Sequence, residues 1–312
     1  MKRRGALTVL AGGAVIPLAG CASSQNPADS QTSGQEALGT AEENIDRATE
    51  LIGEEATFSF ARGPDSSIST DAINLALNDA DAALDRVADE QGDISAEKLR
   101  AYRDYVSTLR KLAAGLESAG GALNTLSAAN AYRNTERYED ATEQLETAGD
   151  LFSTASRSIA SSRESLDQID MEVLDTDAIS RTRASELYGD LNEIIEAYIH
   201  YTDATIPYYE GLDSYWTGVE QYDDEEYEDA DLTLVAASGQ FETAQTKYRN
   251  AESEVSTSIR EVFIEQTCVA NAMRDSSEQF INATLEARDN NIEQANEYVN
   301  QGIDARNRSC RV

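Results

Sequence analysis

The sequence predicts an all-α protein, built as an elongated bundle of long antiparallel helical hairpins. From Glu36 onward the chain has only two prolines, Pro64 and Pro207, and long stretches of Ala, Leu, Glu, Asp, Gln and Arg. Apolar residues recur at spacings that alternate between three and four, the period of an α-helix. A stretch that begins at Tyr138 also recurs at Tyr227, which predicts that one helical hairpin occurs twice.

Residues 1–20 are predicted to be a signal peptide rather than part of the fold. Lys2, Arg3 and Arg4 form a charged start, and residues 6–19 are an apolar run of the length found in signal peptides. A permanent membrane span needs about 20 apolar residues, so this run is too short. An uncleaved N-terminal anchor is the alternative, and the paired arginines resemble a twin-arginine export signal.

The leader ends in Leu18-Ala19-Gly20-Cys21, which resembles the lipobox of secreted lipoproteins. The resemblance implies that the chain is cut before Cys21 and that Cys21 carries a lipid, which would hold the protein on the outer face of the cell membrane. The residues that follow, up to Gln35, are rich in Ser, Gln, Asn and Gly and have no apolar period. They predict a flexible tether over 21–35, ahead of a single helical domain over 36–312.

The net charge of the mature chain indicates which salt concentration suits the protein and argues against one class of partner. Residues 1–20 hold three of the 25 basic residues and no acidic one, so 22 Lys and Arg remain against 58 Asp and Glu, a formal charge of −36. Because the acidic residues alternate with a regular apolar stripe, they predict a folded body with a carboxylate-covered surface rather than disorder. Near 1 M salt the Debye length falls to about 3 Å and screens the repulsion within such a surface. The composition resembles that of extracellular proteins from salt-loving archaea, and it argues against nucleic acid as a partner.

Two shorter helices, over residues 36–53 and 69–89, are predicted ahead of a long helical hairpin. The two helices of that hairpin meet near Asn134, Thr135 and Glu136, and so short a connection allows only an antiparallel turn. The apolar seam of its first helix consists of Leu99, Tyr102, Val106, Leu109, Ala113, Leu116, Gly120 and Leu123. The seam of its second helix consists of Tyr138, Ala141, Leu145, Ala148, Phe152, Ala155 and Ile159.

The hairpin over about 94–172 is predicted to occur again over about 183–261, shifted by 89 residues. The run Tyr138-Glu139-Asp140-Ala141 becomes Tyr227-Glu228-Asp229-Ala230, and nine of the eighteen positions from Tyr138 are identical in the two copies. The alternative is a chance alignment of two amphipathic helices. Because the register holds over some seventy residues, the sequence favours an internal duplication.

The turn and second helix of each copy resemble a tetratricopeptide repeat. In the first copy the likeness lies in Asn130-Ala131-Tyr132 and in Tyr138 to Ala141, and it continues to Leu145, Ala148 and Leu151. The resemblance implies closely paired helices and a stacked surface that binds peptides or partner proteins. The helices here are longer, and the period is 89 rather than 34, so the fold is tetratricopeptide-like only in part.

Cys268 and Cys310 are predicted to form a disulfide that fixes the C-terminus. Their midpoint falls within residues 288–291, a natural turn before a last helix over 292–306. An antiparallel hairpin at that turn would bring the two thiols together outside the cell. Two free thiols are the alternative. A metal site is not predicted, because no cluster of His or further Cys accompanies the pair.

No group of side chains in the sequence specifies a reaction. His200 is the only histidine, so it is predicted to be a packing or surface residue rather than a catalyst. The acidic run 223–226 precedes a predicted helix, where the helix dipole favours negative charge. The chain has no EF-hand spacing, phosphate-binding glycine loop or GxSxG turn. The sequence therefore predicts no catalytic residue, no metal site and no cofactor.

Tyrosine is concentrated in the stretch over residues 188–227, which holds eight of the fourteen tyrosines within forty residues. One interpretation is a recognition strip, since tyrosine offers contact area with a polar tip. The other is a packed core with a hydrated rim, and the register of the seam favours core positions for Tyr188, Tyr198, Tyr209 and Trp216. The candidate partner-binding residues are Tyr201, Tyr208, Tyr215, Trp216 and Tyr222.

Two asparagines, Asn282 and Asn307, match the N-glycosylation pattern and are candidate sugar sites.

Taken together, the sequence favours a non-enzymatic, membrane-anchored extracellular scaffold that binds an envelope protein or a peptide. The alternative is a solute- or metal-binding lipoprotein that serves a transporter, and an enzyme ranks third. An enclosed cavity lined by Tyr201, Tyr208 and Trp216 would favour the alternative.

Overall fold

The computed structural model of the protein describes residues 27–62, 67–89, 94–174 and 181–310. These residues form eight α-helices and contain no β-strand, which confirms the all-α prediction. Cys21 and the predicted leader lie outside the described residues. The helices are α1 (Pro27–Arg62), α2 (Asp71–Asp89), α3 (Ala96–Arg133), α4 (Tyr138–Asp167), α5 (Arg181–Asp223), α6 (Tyr227–Glu254), α7 (Thr257–Arg288) and α8 (Ile292–Arg306).

The first helix is longer than the sequence predicts at both ends. Residues 27–35 were expected to belong to a flexible tether, but they are the start of α1, which then continues past Gly53 to Arg62. Pro27 suits the first position of a helix, because its φ is already fixed and no N–H is needed there. Adding residues to an existing helix costs far less than nucleating one, so the amphipathic part of α1 carries the helix into its polar flank.

Consecutive helices run in opposite directions and pack as hairpins. Asp85 and Asp81 of α2 pair with Arg103 and Arg110 of α3 in reverse order, which shows that these two helices are antiparallel. The turns that follow α3, α5 and α7 therefore lie at one end of the bundle. We call this end, with residues 134–137, 224–226 and 289–291, the turn end. Pro27, the start of α1, lies at the opposite end.

The three turns share one backbone conformation. Glu136, Glu225 and Asn290 have φ values of 60°, 67° and 60°, in the left-handed region. In each turn the next residue donates its N–H to a carbonyl five positions back, at 2.8 to 3.0 Å, and the left-handed residue donates to a carbonyl three positions back. These are the two hydrogen bonds of a Schellman motif, which satisfies the last carbonyls of a helix. The sequence predicted a turn near residues 288–291. It did not predict that this turn has the same backbone conformation as the other two.

The two predicted copies have matching structures around these turns. α4 and α6 begin at Tyr138 and Tyr227, the equivalent residues of the two copies. Five equivalent pairs are also buried alike: Ala141 and Ala230, Leu145 and Leu234, Ala148 and Ala237, Phe152 and Phe241, Ala155 and Ala244. This agreement supports a duplication, which nevertheless stays a proposal.

Close packing in the core depends on small residues opposite aromatic rings. A Cβ added at Gly211 would lie 2.8 Å from Cε1 of Phe241, and one added at Gly302 would lie 2.8 Å from Cδ2 of Phe280. Phe241 is fully buried and Phe280 nearly so, so neither ring has free space to move into. Gly211 therefore sets the spacing of α5 and α6, and Gly302 that of α7 and α8.

Pro207 lies inside α5 without ending the helix. A proline has no N–H, so the carbonyl of Asp203, four residues earlier, loses its usual helical partner. Lys247 of α6 replaces that partner, because its Nζ lies 3.2 Å from the Asp203 carbonyl oxygen and 2.7 Å from the Asp203 carboxylate. A neighbouring helix thus satisfies the backbone group that the proline leaves free.

Contacts beyond sequence neighbours run between odd-numbered helices. α1 touches α3 and α5, and α5 touches α7, whereas no two even-numbered helices are in comparable contact within the described residues. The odd-numbered helices therefore lie toward one another. The side of α5 that bears Asp203, Glu210 and Thr217 is exposed, so the side opposite these residues faces the interior of the bundle.

Candidate functional site

The four tyrosines whose environment the sequence left open lie on one stripe of α5. Tyr201, Tyr208, Tyr215 and Tyr222 are each seven residues apart, so they follow one line along the helix, on its interior side. Tyr215 is fully buried, and the other three keep partial solvent access. The stripe therefore includes one core residue and three candidates for contact with a ligand or partner.

Tyr215 is not a partner-binding residue in this fold. Its side chain is 0% exposed, its hydroxyl lies 2.9 Å from Ser276 Oγ, and its ring meets the edge of Phe280 at 5.8 Å. Because α7 covers it completely, Tyr215 belongs to the core between α5 and α7.

Trp216, unlike Tyr215, is exposed. The register of the apolar seam predicted a core position for it, but 38% of the residue is exposed. Tyr209 lies level with Asn130 of α3, with 3.3 Å between its hydroxyl and the Asn130 Oδ1. Trp216, seven residues further along α5, is therefore level with the turn that ends α3, where the neighbouring helices stop. The ring is flanked by Tyr138, by Tyr215 at 5.2 Å between ring centres, and by Arg306, whose guanidinium lies 4.9 Å from the centre of the Trp216 ring.

Tyr201 and Tyr208 lie on the interior side of α5 and keep partial solvent access. Burial is the main cause that raises the pKa of both phenols, to about 12 for Tyr208. The ring of Tyr208 packs on Tyr209 and Phe241 at 6.0 and 5.6 Å. Tyr201 packs on Tyr248 at 6.4 Å.

Two residues of α3 approach these tyrosines, and the sequence gave no sign of them. Arg133 acts electrostatically on the hydroxyls of Tyr201, Tyr208 and Tyr209, and Asn130 accepts a hydrogen bond from Tyr209. Arg133 lies in the last turn of α3, more than sixty residues before these tyrosines. Its approach depends on the parallel alignment of α3 and α5, which no local pattern encodes. We call the set of Asn130, Arg133, Tyr138, Tyr201, Tyr208 and Tyr209 the tyrosine cluster.

The buried phenols predict loss of stability at high pH. Burial raises the pKa of Tyr105 and Tyr208 from an ordinary value of 10.0 to about 12. A raised pKa in the folded state contributes stability that is fully present below pH 10 and is lost as the pH rises toward 12. We therefore expect the free energy of unfolding to fall between pH 10 and about pH 12, measured by denaturant titration alongside tyrosinate absorbance. A flat profile over that interval would show that the phenols are not shielded from solvent.

The two remaining cysteines lie together as predicted. Cys268 of α7 and Cys310 form a disulfide with Cα atoms 5.6 Å apart. The C-terminal tail has a second attachment to α7, because Arg308 Nη1 lies 2.9 Å from the Asp275 carboxylate. The disulfide and the ion pair hold the residues after α8 against α7.

The other polar candidates do not converge on a reactive centre. His200 Nε2 lies 3.2 Å from the Glu254 carboxylate at the protein surface. Within the described ranges, no group of three or more His, Cys, Asp or Glu side chains is placed to hold a metal ion. The acidic residues 223 and 224 end α5 and begin its turn, and Glu225 supplies the left-handed residue there.

The two predicted sugar sites differ in accessibility. Asn282 lies within α7, and Thr284 of its sequence pattern is 0% exposed and bonded to the Ile281 carbonyl. The folded protein therefore does not present Asn282 as an acceptor. Asn307 and Ser309 are exposed after the end of α8, so the second site remains a prediction that the fold permits.

Exposed apolar side chains are concentrated at the turn end. Seven large apolar side chains are exposed among the described residues. Five of these lie within roughly 15 Å of a hairpin turn, measured along their helix: Trp216, Leu232, Val235, Leu285 and Ile292. The other two are Leu75 and Val262. Single exposed apolar residues are common, but a concentration at one end is typical of an interaction surface.

No helix in the described part of the chain is both long enough and apolar enough to cross a membrane.

No protein-family model matches the chain, and no curated protein or solved structure is significantly similar to it.

Proposed function

We propose that this protein is a lipid-anchored, non-enzymatic scaffold that holds a binding surface away from the outer face of the cell membrane. Cys21 would carry the lipid, six residues before α1 begins at Pro27. The helices would then act as a spacer, because the 43 residues of α5 extend over about 65 Å. The internal duplication and the tetratricopeptide-like turn are part of this proposal, as the means by which a long rod was built from one hairpin.

The observation that carries the proposal is the position of the exposed apolar side chains. They are concentrated at the turn end, and α1 begins at the opposite end. An anchor at one end and an apolar surface at the other is the arrangement that a tethered binding protein needs. Trp216 also lies there with Arg306 over its ring, and Trp, Tyr and Arg are the residues most enriched among those that dominate protein interfaces.

The partner that fits this surface is a protein or peptide of the cell envelope. The rest of the surface carries dense negative charge, which keeps the rods apart and soluble. Contact would therefore be restricted to the turn end, where aromatic and aliphatic side chains interrupt the charge.

Site-specific photocrosslinking tests the binding surface, and α7 offers a matched pair of positions. Leu285 at the turn end is 46% exposed and Val262 near the other end is 45% exposed. With a photoreactive residue at each position in the native host, we expect a discrete protein adduct from position 285 and none from position 262. Equal adducts from both positions, or none from either, would contradict the proposal.

Substitution of the lipidation residue tests the anchor. Cys21→Ser removes the thiol that a lipid would occupy, and a single polar side chain cannot replace its membrane affinity. The variant is expected to leave the membrane fraction and appear in the medium or the soluble fraction. A variant that stays with the membrane, or a mature wild-type chain without acyl mass, would contradict a lipid anchor.

A second candidate function is the capture of a small solute for a transporter. The observation that favours it is the tyrosine cluster, in which Tyr201 and Tyr208 lie on the interior side of α5 and keep partial solvent access. Trp216 is not part of this cluster, so the fold groups only two of the three residues that the sequence named for this function.

A further inference from the structure

The outer face of α6 is uncharged where the equivalent face of α4 is acidic. Five exposed residues of α6 form what we call the α6 patch: Leu232, Val235, Ala236, Gly239 and Thr243. Counted 89 residues back, the positions of Leu232, Val235 and Gly239 hold Glu143, Glu146 and Asp150, which are exposed in the same way. The two helices thus share one pattern of burial, and they differ in the charge of the side that faces outward.

The α6 patch is open to solvent and suits close contact with another helix. A Cβ added at Gly239 would have no atom within 4 Å. Leu232 and Val235 are 70% and 53% exposed. Because Ala236 and Gly239 are small, the backbone of a second helix can come close to α6 here. Between Asp231 and Lys247, α6 holds one charged residue, Glu242, so little charge would be removed from water by such a contact.

Opposite charges flank the α6 patch in an arrangement that is complementary to itself. Asp229 and Lys247 are 18 residues apart, and so are Asp231 and Arg249. That separation is about five helical turns, so each acid lies in line with its base along one side of the patch. The midpoints of both pairs fall within one residue of Gly239. A second α6 that packs antiparallel, Gly239 against Gly239, therefore brings each acid beside the equivalent base of the other copy.

We propose that a second copy of this chain packs antiparallel on the α6 patch, about a two-fold axis at Gly239. A two-fold pair uses the same surface on both copies, and the charges around Gly239 meet that requirement. Asp231 and Lys247 also pair with residues of neighbouring helices, so the flanking charges fix the orientation more than the strength of the contact. Parallel packing would instead place each acid beside its own counterpart.

The proposed lipid anchor decides where such pairs form. α1 begins at the end of the bundle opposite the turn end, so antiparallel copies have their anchors at opposite ends. Upright neighbours on one membrane have parallel helices and cannot pair in this way. The pairs therefore join copies on facing membranes, a consequence that rests on the proposed function, whereas the pairing itself does not. Trp216, Leu285 and Ile292 lie on other helices and stay available to the partner.

Sedimentation of the mature chain with Cys21→Ser tests the pairing without a lipid. At 1 M salt the Debye length is about 3 Å and the net negative charge is screened, so we expect a concentration-dependent dimer. Val235→Glu gives α6 the residue that α4 holds at the equivalent position, and it should raise the dissociation constant about tenfold to a hundredfold. Val262→Glu is the matched control, because Val262 is 45% exposed on α7; it should leave the dissociation constant unchanged.

Disulfide trapping in the same chain tests the geometry. Gly239→Cys should link two copies on oxidation, because its side chain points into open space at the axis. Asp150→Cys, at the equivalent exposed position of α4, is the control and should not link them. Leu232→Cys and Thr246→Cys lie seven residues to either side of Gly239. When mixed, these two chains should link to each other rather than each to itself.

Three results would overturn the proposal. The first is a protein that stays monomeric at millimolar concentration. The second is that Val235→Glu has no effect, or that Val262→Glu weakens the dimer as much. The third is that position 239 in native membranes links to a different protein, or that positions 232 and 246 link only to themselves. Photocrosslinking at position 285 does not depend on the α6 patch, so the scaffold and the pairing can fail independently.

Discussion

Replacing Phe241 with alanine is expected to lower the free energy of unfolding by about 3 to 5 kcal/mol. The ring is 0% exposed and packs against Tyr208 at 5.6 Å and Tyr215 at 6.5 Å. Gly211 also lies against it, so close that no side chain fits between them. Removal of the ring leaves a cavity that a glycine and two fixed tyrosines cannot fill. Denaturant unfolding followed by circular dichroism measures the loss.

Two further variants make this result specific. Leu232→Ala lies on the same helix but the side chain is 70% exposed, so we expect a change within about 0.5 kcal/mol. Phe152→Ala removes the equivalent ring of the first copy, which is also 0% exposed and stacks on Tyr198 at 4.9 Å. A loss comparable to that of Phe241→Ala would support equivalent roles for the two hairpins. A loss below about 1 kcal/mol at Phe241 would contradict the packing described for α5 and α6.

Opening the disulfide is expected to lower stability by roughly 4 kcal/mol on the chain-entropy relation. Cys268 and Cys310 are 42 residues apart, so their bond closes a loop that contains α7 from Cys268 to its end and all of α8. α8 buries few residues of its own, among them Ala295 and Gly302, and depends on that closure to stay on α7. Thermal unfolding with and without a thiol reductant measures the effect.

The control for the disulfide is a variant with both cysteines replaced. Cys268→Ser with Cys310→Ser should match the reduced wild type and should no longer respond to reductant. Amide exchange in α8 should rise in both, while exchange in α3 and α4 should not. If reductant changes neither melting temperature nor exchange, then α8 is held by its packing alone.

The sequence predicted the helices well wherever an apolar seam was continuous. The seams of α3 and α4 are buried at almost every predicted position, because a long amphipathic stripe has only one way to exclude water. The start of α1 could not be predicted in the same way. Residues 27–35 have no apolar period, and their helix is an extension of the one nucleated beyond Ala37.

The same seam logic gave the wrong environment for Trp216 and left that of its neighbour Tyr215 open. Trp216 lies on the side of α5 that faces α4. It is level with the turn between α3 and α4, however, and no helix covers that side of α5 there. Tyr215 lies on the next stripe, which α7 covers. Burial at the end of a helix is decided by the lengths of its neighbours, and periodicity within one helix does not contain that information.

The tyrosine cluster was even less accessible to prediction from sequence. Asn130 and Tyr209 are 79 residues apart and meet only because α3 and α5 run parallel in register. Arg133 had no distinguishing feature in the sequence, being one of many arginines on helical surfaces. Its approach to Tyr201 and Tyr208 is a property of the assembled bundle.

Covalent footprinting of the protein in native membranes tests the central claim that the turn end is the binding surface. Hydroxyl-radical labelling and peptide mass spectrometry would compare membrane-bound protein with purified protein. Protection is expected at Trp216, Leu285 and Ile292, while Leu75 and Val262, which are equally apolar and exposed, keep their reactivity. Protection that is uniform along the rod, or greater at Leu75 and Val262, would contradict the claim.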